Sequence, residues 1–409
     1  MKTVSLSPRE KDWLQTRRVN IALDPAKTVP VSVFDGGAGV EWVKNGNPAG
    51  SVVADDLINY QTSDRGIKIT SVNNVVVYVD KIVTFDLSDP SITHIKMRFY
   101  VDGNTTTGSI NLYFSDNGFT KYYRIIGGPM GLKSGWNEYC IAKRYFTVFN
   151  GATWAEVNGR IRVATTALAG QTLNVTWDEI TGVKGGLTRG AILVQFDDSL
   201  ASLTDVAAPY MDKYRMPGTA FVITDKIGLT AAYTTKDKLL KLQSNGWDIA
   251  SHSSLTDLLT GMTLVQAENN ITKSLRWLHR NGLTPSSFFV APGAQVNDGI
   301  NAIIRKYFSV SHTAGAAYIS LAWPLLPHQN DIGLVLNTTS TATIQSWIDA
   351  VEADKSVGIV KFHNILTPAV NVIDYPVADF KTVIDYLHAR RVAGGIDILS
   401  FSQLIARYE

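Results

Sequence analysis

Residues 191–198 read AILVQFDD, an apolar run that ends in two adjacent carboxylates. A short apolar run of this kind predicts a strand that is buried on both faces, as strands of parallel sheets are. Similar runs that end in polar residues occur at residues 219–225, TAFVITD, and at residues 359–363, IVKFH. The repeated arrangement indicates a domain of parallel strands in the second half of the chain.

Helical periodicity separates most of these runs, and Thr263 with Gln266 has the spacing of a capping box. Helices are predicted near residues 202–214, 236–245, 263–281, 298–307, 343–354 and 377–390. About eight strands in alternation with helices predict a parallel (β/α) barrel over residues 190–409. In such a barrel the C-terminal ends of the strands meet on one face, where active sites are built.

The first half of the chain has the period of two that is typical of β-strands. Residues 95–101, IKMRFYV, alternate apolar with polar or aromatic positions, and turn pairs such as Asn-Gly separate the runs. An all-β sandwich of the jelly-roll type is therefore predicted for residues 31–184, after an N-terminal extension over residues 1–30. Residues 185–190, GGLTRG, form the predicted linker.

The composition argues against several classes of protein. The 409 residues carry 38 Lys and Arg against 36 Asp and Glu, a net charge of +2 without a basic run, so nucleic-acid binding is not expected. Cys140 is the single cysteine and excludes an intrachain disulfide or a Cys-rich zinc site. No apolar stretch approaches the roughly 18 residues of a membrane span. No signal peptide is expected in the polar, charged residues 1–18.

The strand ends hold the candidate catalytic residues. Asp197 and Asp198, His252 and His363 each follow an apolar strand. Adjacent carboxylates repel one another unless a cation or a hydrogen-bond donor separates them. Two Asp and two His residues on one rim would suit a divalent metal, zinc being the ion predicted, combined with an acid–base pair. Strand ends are often polar simply because they meet loops, so a structural role for each residue is left open.

The motifs resemble, in order and spacing, those of the polysaccharide deacetylase family, also called the NodB-homology domain or carbohydrate esterase family 4. The resemblance covers residues 190–409. It rests on four short motifs: QFDD at 195–198, WDIASHSS at 247–254, FVAPGA at 289–294 and IVKFH at 359–363. The resemblance implies metal-assisted hydrolysis of an N- or O-acetyl group from a polysaccharide.

Carried onto this sequence, the resemblance assigns the general base to Asp197 and the general acid to His363. Asp198 and His252 would hold the metal, which polarises the acetyl carbonyl and lowers the pKa of the attacking water. The sequence departs from the family pattern at Thr256, which stands where the family has a second metal histidine.

Other residues are candidates to replace the groups that this sequence lacks relative to the family pattern. Asp257, His312 and His328 are candidates for the missing metal ligand. Apolar residues around Val290 stand where the family's third motif has an arginine, and Lys361 is the candidate for the missing positive charge. The family's Asp-containing fourth motif is not recognisable.

The predicted sandwich resembles jelly-roll domains of the carbohydrate-binding type at residues 134–139, SGWNEY, and in the late strand at 173–180. Aromatic side chains there would either pack in the core, the more common use, or form a sugar-stacking platform. The aromatic residues concerned are Tyr100, Tyr113, Tyr122, Tyr123, Trp136, Trp154 and Trp177. His94 is expected at the surface or in a turn.

We therefore expect a metal-dependent polysaccharide deacetylase that acts on a capsule, cell-wall or other surface glycan, outside the cell or as part of a virion. The alternative, from a different class, is a catalytically degenerate glycan-binding protein such as a phage tail component. The change at Thr256 favours this alternative. The expected partner is an acetylated polysaccharide, without nucleic acid or a membrane span, and a homo-oligomer is left open.

Overall fold

The computed structural model describes residues 28–33, 42–45 and 51–408, except for residues 63, 103–107, 127–131, 133, 186, 313–318, 324 and 326–331. Residues 23–185 form one compact unit, and residues 186–409 form the main part of a second. The predicted N-terminal extension, residues 1–30, lies outside the described residues except for its last three, which belong to the first strand.

The first unit consists of antiparallel strands, which form two six-stranded sheets among the described residues. In chain order the strands are β1 Thr28–Val33, β2 Val43–Asn45, β3 Val52–Asp56, β4 Gly66–Val72, β5 Val76–Ile82, β6 Ile92–Val101, β7 Gly108–Ser115, β8 Tyr122–Ile126, β9 Gly135–Ala142, β10 Thr147–Phe149, β11 Arg160–Ala167 and β12 Thr172–Lys184. The first sheet has the order β3-β4-β12-β6-β9, and β1 also pairs with β12. The second sheet has the order β10-β8-β7-β11-β5-β2.

The predicted alternation along β6 is confirmed by the burial of Ile95, Met97 and Phe99. The two sheets approach closely, because a Cβ added to Gly108 on β7 would lie 2.7 Å from Cδ2 of Leu173 on β12. An apolar core between two sheets is what this strand pattern requires. The prediction of an all-β sandwich is confirmed at this level.

The expectation for His94 is wrong. This residue is 1% exposed and lies inside β6, where it pairs with Ala142 of β9. Its Nδ1 lies 2.8 Å from Oγ1 of Thr93. The strand begins at Ile92, whereas the apolar alternation becomes visible in the sequence only at Ile95. His94 therefore belongs to the strand although its sequence neighbourhood suggested a turn.

The aromatic residues of the sandwich do not form one platform. Trp177 is fully buried, and Tyr123 stacks on Trp154 with ring centroids 4.1 Å apart. Tyr100 packs edge-on against Trp136 on the first sheet. Their distribution over both sheets and the core is the physical reason that a single sugar-stacking surface is not made.

The second unit is an α/β domain. Its strands are β13 Gly190–Phe196, β14 Thr219–Val222, β15 Asp248–Ser251, β16 Pro285–Val290, β17 Val310–His312, β18 Gly333–Leu334, β19 Val357–Phe362, β20 Asn364–Ile365, β21 Asp374–Tyr375 and β22 Ile396–Leu399. Its helices are α1 Ala208–Asp212, which continues the π-helical Leu203–Ala207, α2 Lys236–Ser244, α3 Leu264–Arg280, α4 Asp298–Tyr307, α5 Thr341–Asp354, α6 Val377–Val392 and α7 Phe401–Tyr408. The alternation predicted from the sequence is confirmed, including the capping box at the start of α3.

The parallel strands form a half-barrel, where the sequence predicted a (β/α) barrel. The sheet order is β17-β16-β15-β14-β13-β19-β18, and β22 pairs with β13 as well. Both β14 and β22 pair with β13 on the edge opposite β19, so eight strands fill only seven positions. Among the described residues no pairing joins β17 to β18.

Alternate residues of the strands face two different apolar clusters. Ile192, Val194 and Phe196 of β13 pack with helices such as α6 on the outer face. Ala191 and Leu193 pack with α7 on the other side, which we call the inner face. Because strand side chains alternate, Gln195 and Asp197 continue the inner-face series toward the C-terminal end of β13.

The same alternation applies to the other strands of the sheet. Ile359 on β19 and Val310 on β17 belong to the inner-face cluster. Lys361 and His312, two residues further along, therefore lie on the inner face as well. The inner face is apolar at its base and polar at the strand ends, so the fold collects polar side chains on one rim.

None of the helices in the described residues combines the length and the apolar character that crossing a membrane requires.

Candidate active site

Asp197 lies at the C-terminal end of β13 with its side chain 1% exposed. Its Oδ2 is 3.1 Å from Nζ of Lys361 in an ion pair, and its Oδ1 accepts a hydrogen bond of 2.7 Å from Nε2 of Gln195. Burial alone would raise the pKa of Asp197, but the charge of Lys361 together with those of the nearby histidines outweighs it and holds the pKa well below its usual range. Asp197 is therefore ionised at neutral pH.

Asp198 lies in an unusual turn directly after β13. Asp198 and Ser199 both have positive φ, 70° and 61°, a conformation that costs non-glycine residues energy and occurs at functional sites. Oδ1 of Asp198 lies 3.4 Å from Nε2 of His252. Nδ1 of His252 lies 2.8 Å from the carbonyl oxygen of Val290, which can only accept, so Nδ1 carries a proton and Nε2 faces Asp198.

Asp198 and His252 shift each other's pKa. Burial by itself would raise the pKa of Asp198 and lower that of His252. The hydrogen bond and the charge attraction between them together outweigh burial, with the charge of Asp197 adding to the effect on His252, so the pKa of Asp198 is lowered and that of His252 is raised. Each of the adjacent carboxylates thus has a partner of its own, Lys361 for Asp197 and His252 for Asp198, which offsets their mutual repulsion.

His363 follows β19 directly, two residues after Lys361. Burial is the main cause that lowers its pKa, and the charge of Asp197 acts in the opposite direction. The lowered pKa keeps His363 mostly neutral at pH 7. Its Nδ1 is buried and has no hydrogen-bond partner among the described residues. The sequence likewise has no recognisable Asp-containing fourth motif that could supply an acidic partner.

Gln195 is a site residue that motif reasoning missed. Its side chain bridges Asp197 and the buried His312, whose Nε2 lies 2.8 Å from Nε2 and 3.2 Å from Oε1 of Gln195. The sequence held a signal for it, because Gln195 is the only polar residue in the apolar run 191–196. A buried polar side chain needs a partner, and here it has two.

Several buried polar atoms at the strand ends have no hydrogen-bond partner among the described residues. They are Oγ1 of Thr224 after β14, Oγ of Ser253 after β15 and Nδ1 of His363 after β19. Oδ2 of Asp197 has its ion pair to Lys361 but no hydrogen bond of good geometry. Native proteins rarely leave such atoms unpaired, so this rim has the character of a site for a polar ligand.

None of the candidates for a further metal ligand joins Asp198 and His252 in the described residues. Thr256 and Asp257 are exposed on the loop after β15. His312 is hydrogen-bonded to Gln195, and His328 lies outside the described residues. The sequence therefore predicted the pair Asp198–His252 but not a third ligand.

The described residues do not fit the predicted zinc site. A catalytic zinc commonly has three protein ligands. Over the described ranges, no group of three or more His, Cys, Asp and Glu side chains is arranged to hold a metal ion. The orientation of His252 by the Val290 carbonyl resembles that of metal-bound histidines, but Asp198 and His252 supply only two ligands.

The second unit is thus an α/β half-barrel whose strand ends carry paired carboxylate, histidine and lysine side chains. Such a set of side chains is suited to acid–base chemistry. Residues 184–308 match the family model described as polysaccharide deacetylase. This segment of the chain is thus similar to polysaccharide deacetylases. Asp197, Asp198 and His252 lie inside the matched segment, and His363 lies beyond it.

Among curated proteins, the poly-beta-1,6-N-acetyl-D-glucosamine N-deacetylase of Staphylococcus epidermidis is 29% identical over 128 residues. The aligned segment is 28% of this chain and 44% of that protein. The chain thus spans less than half the length of this curated relative.

Solved structures of deacetylases are also similar. The peptidoglycan deacetylase PdaC of Bacillus subtilis has 14% identity and a TM-score of 0.35, over 54% of this chain and 91% of that one. The deacetylase PplD of Streptococcus pyogenes, solved with acetate, has 22% identity and a TM-score of 0.32, over 34% of this chain and 63% of that one. These likenesses are too distant to extend to residue roles.

Proposed function

We propose that the protein hydrolyses acetyl groups from a polysaccharide. The observation that carries the proposal is the buried, ionised Asp197 between Lys361 and Gln195, beside Asp198 and His252, in a domain matched by the polysaccharide deacetylase model. Paired ionisable groups whose environments push their pKa values apart are a mark of acid–base sites.

In the proposed reaction Asp197 accepts a proton from water as the water oxygen bonds to the acetyl carbon. His363, neutral at rest, takes up a proton from solvent and gives it to the leaving amine or alkoxide as the bond to the acetyl carbon breaks. Asp197 returns the proton it took from the attacking water to solvent, which restores both residues. Lys361 and Gln195 hold the Asp197 carboxylate in position. The products are acetate and a free amino or hydroxyl group on the glycan.

We expect Asp197→Asn and His363→Ala each to reduce acetate release by about 10²- to 10⁴-fold, the usual contribution of one acid–base residue. Acetate release from acetylated polysaccharide measures this effect, with circular dichroism to check the fold. Asp237→Asn and His279→Ala are matched controls, because both residues are exposed on helices of the same domain. Acetate release at the wild-type rate from either site variant would contradict the proposal.

A glycan-binding protein without catalytic activity is the second candidate. It is favoured by the absence of a three-ligand metal group from the described residues. Metal analysis of the purified protein, with acetate release measured before and after addition of zinc or another divalent ion, separates the candidates. Metal-stimulated acetate release would support a cation at Asp198 and His252. No bound ion and no acetate under any condition would support the binding protein.

We also propose that the N-terminal sandwich is a jelly roll that binds glycan. The strand orders β4-β12-β6-β9 and β5-β11-β7-β8 support a jelly-roll topology, since consecutive strands repeatedly cross between the two sheets. A half-buried aromatic cluster on the second sheet supports glycan binding. Tyr122 stacks on Phe149 with ring centroids 4.4 Å apart, and the Arg124 guanidinium lies 4.9 Å from the Phe149 ring.

The proposed substrate is an acetylated surface polysaccharide, N- or O-linked. Support comes from the curated relative, whose name gives poly-beta-1,6-N-acetyl-D-glucosamine as its substrate. Action outside the cell or from a virion follows from such a substrate and is part of the same proposal.

A further inference from the structure

A continuous strip of aromatic rings and guanidinium groups crosses the outer face of the second sheet of the sandwich. Tyr122 on β8 stacks on Phe149 of β10 with ring centroids 4.4 Å apart. The Tyr122 ring also lies 5.1 Å from that of Phe119 and 5.8 Å from that of Tyr113. The Arg124 guanidinium lies 4.9 Å from the Phe149 ring. All of these side chains are half-buried, so each keeps part of its surface open to solvent.

The strip continues from Phe119 to two further arginines. The Arg162 guanidinium lies 3.8 Å from the Phe119 ring and 4.0 Å from the Tyr78 ring. Its Nε and Nη2 donate hydrogen bonds of 2.6 and 2.8 Å to the two carboxylate oxygens of Asp80. Nη1 of Arg160 lies 3.8 Å from Oδ2 of the same aspartate. One carboxylate is therefore shared by two guanidinium groups.

Phe119 reaches the strip through a strained turn between β7 and β8. Its φ is 58°, a conformation that a bulky residue adopts only at a cost in energy. The turn is braced by Oδ1 of Asp116, which accepts hydrogen bonds of 2.7 and 3.1 Å from the backbone N–H groups of Thr120 and Lys121. Backbone strain of this kind persists where the surroundings fix it and is concentrated at functional sites. The turn thus holds an aromatic ring in a fixed place on the outer face.

Arg124 has no acidic partner on this face. Across the strands it is paired with Tyr113 on β7 and with Thr147 on β10. Among the described residues its guanidinium forms neither an ion pair nor a hydrogen bond, and its Nε is buried. The Nε of Arg160 is buried and unpartnered in the same way. Burial of a cation or a donor costs free energy unless a partner offsets it, so these groups are open to an acceptor from outside the chain.

The register of the strands places the arginines on both sides of an aromatic centre. Tyr113 is the partner of Arg124 across β7 and β8 and of Arg162 across β7 and β11. Neighbouring strands lie about 4.8 Å apart, so the backbones of Arg124 and Arg162 are about 10 Å apart. A sugar ring that covers Tyr113 and Tyr122 therefore has a guanidinium group within reach at its edge.

The charge of the face selects the ligand. The charged residues at the outward positions of these strands are three arginines and one aspartate, Asp80. A neutral sugar would leave the Arg124 cation without a counter-charge. A carboxylate supplies that charge and matches the two parallel N–H groups of a guanidinium.

Aromatic rings beside arginine also occur in proteins that bind single-stranded nucleic acid. Such proteins have a basic groove that follows several phosphates. Here Arg162 and Arg160 share Asp80, and the whole chain has a net charge of only +2. The face therefore suits one carboxylate group next to a sugar ring better than a run of phosphates.

We propose that the outer face of the second sheet binds a carboxylate-bearing sugar unit of the polysaccharide. The Arg124 guanidinium pairs with the carboxylate, and the rings of Tyr122 and Tyr113 cover the C–H face of the sugar. The inference rests on the proposed glycan binding by the sandwich and adds the chemical class of the ligand. It predicts that the polymer contains acidic sugars as well as acetylated ones.

The test uses the full chain and hyaluronan oligosaccharides, which alternate a carboxylate-bearing with an N-acetylated sugar. The same oligosaccharides with their carboxyl groups reduced to alcohols are the neutral comparison. In calorimetric titration we expect the wild type to bind the acidic form about tenfold or more tightly than the neutral one, the gain from one charge-assisted hydrogen-bonded pair. Arg124→Met should abolish this difference and leave binding of the neutral form unchanged.

Two further variants separate a role in binding from a role in folding. Arg65→Met is the matched control, because the Arg65 guanidinium of the same unit is already paired with Asp55 and Asp64. Arg124→Lys keeps the charge without the planar fork and should retain part of the preference for the acidic form. Arg124→Met should not lower the urea midpoint of unfolding, since the cation that it removes has no acidic partner among the described residues.

Each contrary result overturns a stated part of the inference. Equal affinity of the wild type for the acidic and the neutral form would overturn the anionic class of the ligand. A preference for the acidic form that survives Arg124→Met, or a lower urea midpoint with unchanged affinity, would remove Arg124 from the site. A single-stranded oligonucleotide that binds more tightly than the acidic oligosaccharide would assign the face to nucleic acid.

Acetate release from the same oligosaccharides separates this inference from the proposed hydrolysis. Binding that depends on the carboxylate and on Arg124, without release of acetate, would support the binding face and count against hydrolysis of this polymer. Release of acetate without any binding difference between the acidic and the neutral form would support the hydrolysis and overturn the binding face.

Discussion

Lys361 and Asp197 are both withdrawn from water, with side-chain exposures of 7% and 1%, and their charges face each other at 3.1 Å. Taking two charges out of water is costly, and their attraction repays the cost only with good geometry and further hydrogen bonds. Gln195 supplies such a bond to Asp197. The arrangement gives the site a carboxylate that Lys361 and Gln195 hold in a fixed position.

We expect Lys361→Met to destabilise the protein by about 3–5 kcal/mol, because it leaves the Asp197 carboxylate buried without a cation. Urea unfolding of the variant measures the loss. The double variant Lys361→Met, Asp197→Asn should recover much of the stability, since neither charge is then buried. Lys241→Met, at an exposed position of α2, controls for the loss of a lysine. A Lys361→Met variant as stable as this control would show that the ion pair contributes little.

The second sheet of the sandwich has two different faces. Ile161 and Val163 of β11 are buried toward the core, whereas Arg162 between them points outward. Its guanidinium lies 3.8 Å from the ring of Phe119 and 4.0 Å from that of Tyr78. With the Tyr122–Phe149 stack, the outer face combines half-buried aromatic rings and guanidinium groups, which is unusual for a purely structural surface.

We expect Tyr122→Ala, on β8 of this sheet, to weaken binding of the full chain to acetylated polysaccharide, because it removes an aromatic surface for a sugar ring. Affinity electrophoresis in gels that contain the polysaccharide measures the retardation. Tyr60→Ala, an exposed tyrosine outside the strands, is the matched control. Retardation equal to that of the wild type would count against glycan binding by this face.

Each of the two units has a core of its own. The parallel sheet of the second unit packs against helices through its outer cluster and against α7 through its inner one. The sandwich buries Trp42, Phe99, Phe114 and Trp177 among its own strands. A unit that buries its own apolar surface has the means to fold alone.

We therefore expect residues 23–185 and 186–409, produced as separate chains, each to unfold cooperatively in urea. Under the proposed function the second fragment should release acetate from a short oligosaccharide at a rate close to that of the full chain. The stability of the full chain, unfolded in parallel, is the reference. A fragment that unfolds without a cooperative transition would contradict the division between Gly185 and Gly186.

Local patterns predicted much of the fold. The spacing of apolar residues predicted α4 with both of its bounds, and the residues Thr263 and Gln266 predicted the cap of α3. Such features depend on neighbours within one or two helical turns, so the sequence contains them directly. His94 shows the limit, because burial inside β6 depends on a partner strand that the local sequence does not reveal.

The candidate site was predictable in its residue types but not in its contacts. Asp197, Asp198, His252 and His363 could be identified because polar residues after apolar strands collect at one edge of a parallel sheet. The role of Gln195 could not, since a lone glutamine in an apolar strand signals a buried partner without naming it. The partner His312 lies 117 residues further along the chain, at the end of β17.

The sequence by itself determined the strands, the helices, the division into two kinds of domain and the order of the motifs, because these depend on short-range periodicity. Only the tertiary structure decided how the parallel strands pair, that Lys361 faces Asp197 and that Gln195 bridges Asp197 and His312. These features arise from contacts between residues far apart in the chain, and the free energy of such contacts depends on burial and geometry that only the folded chain creates.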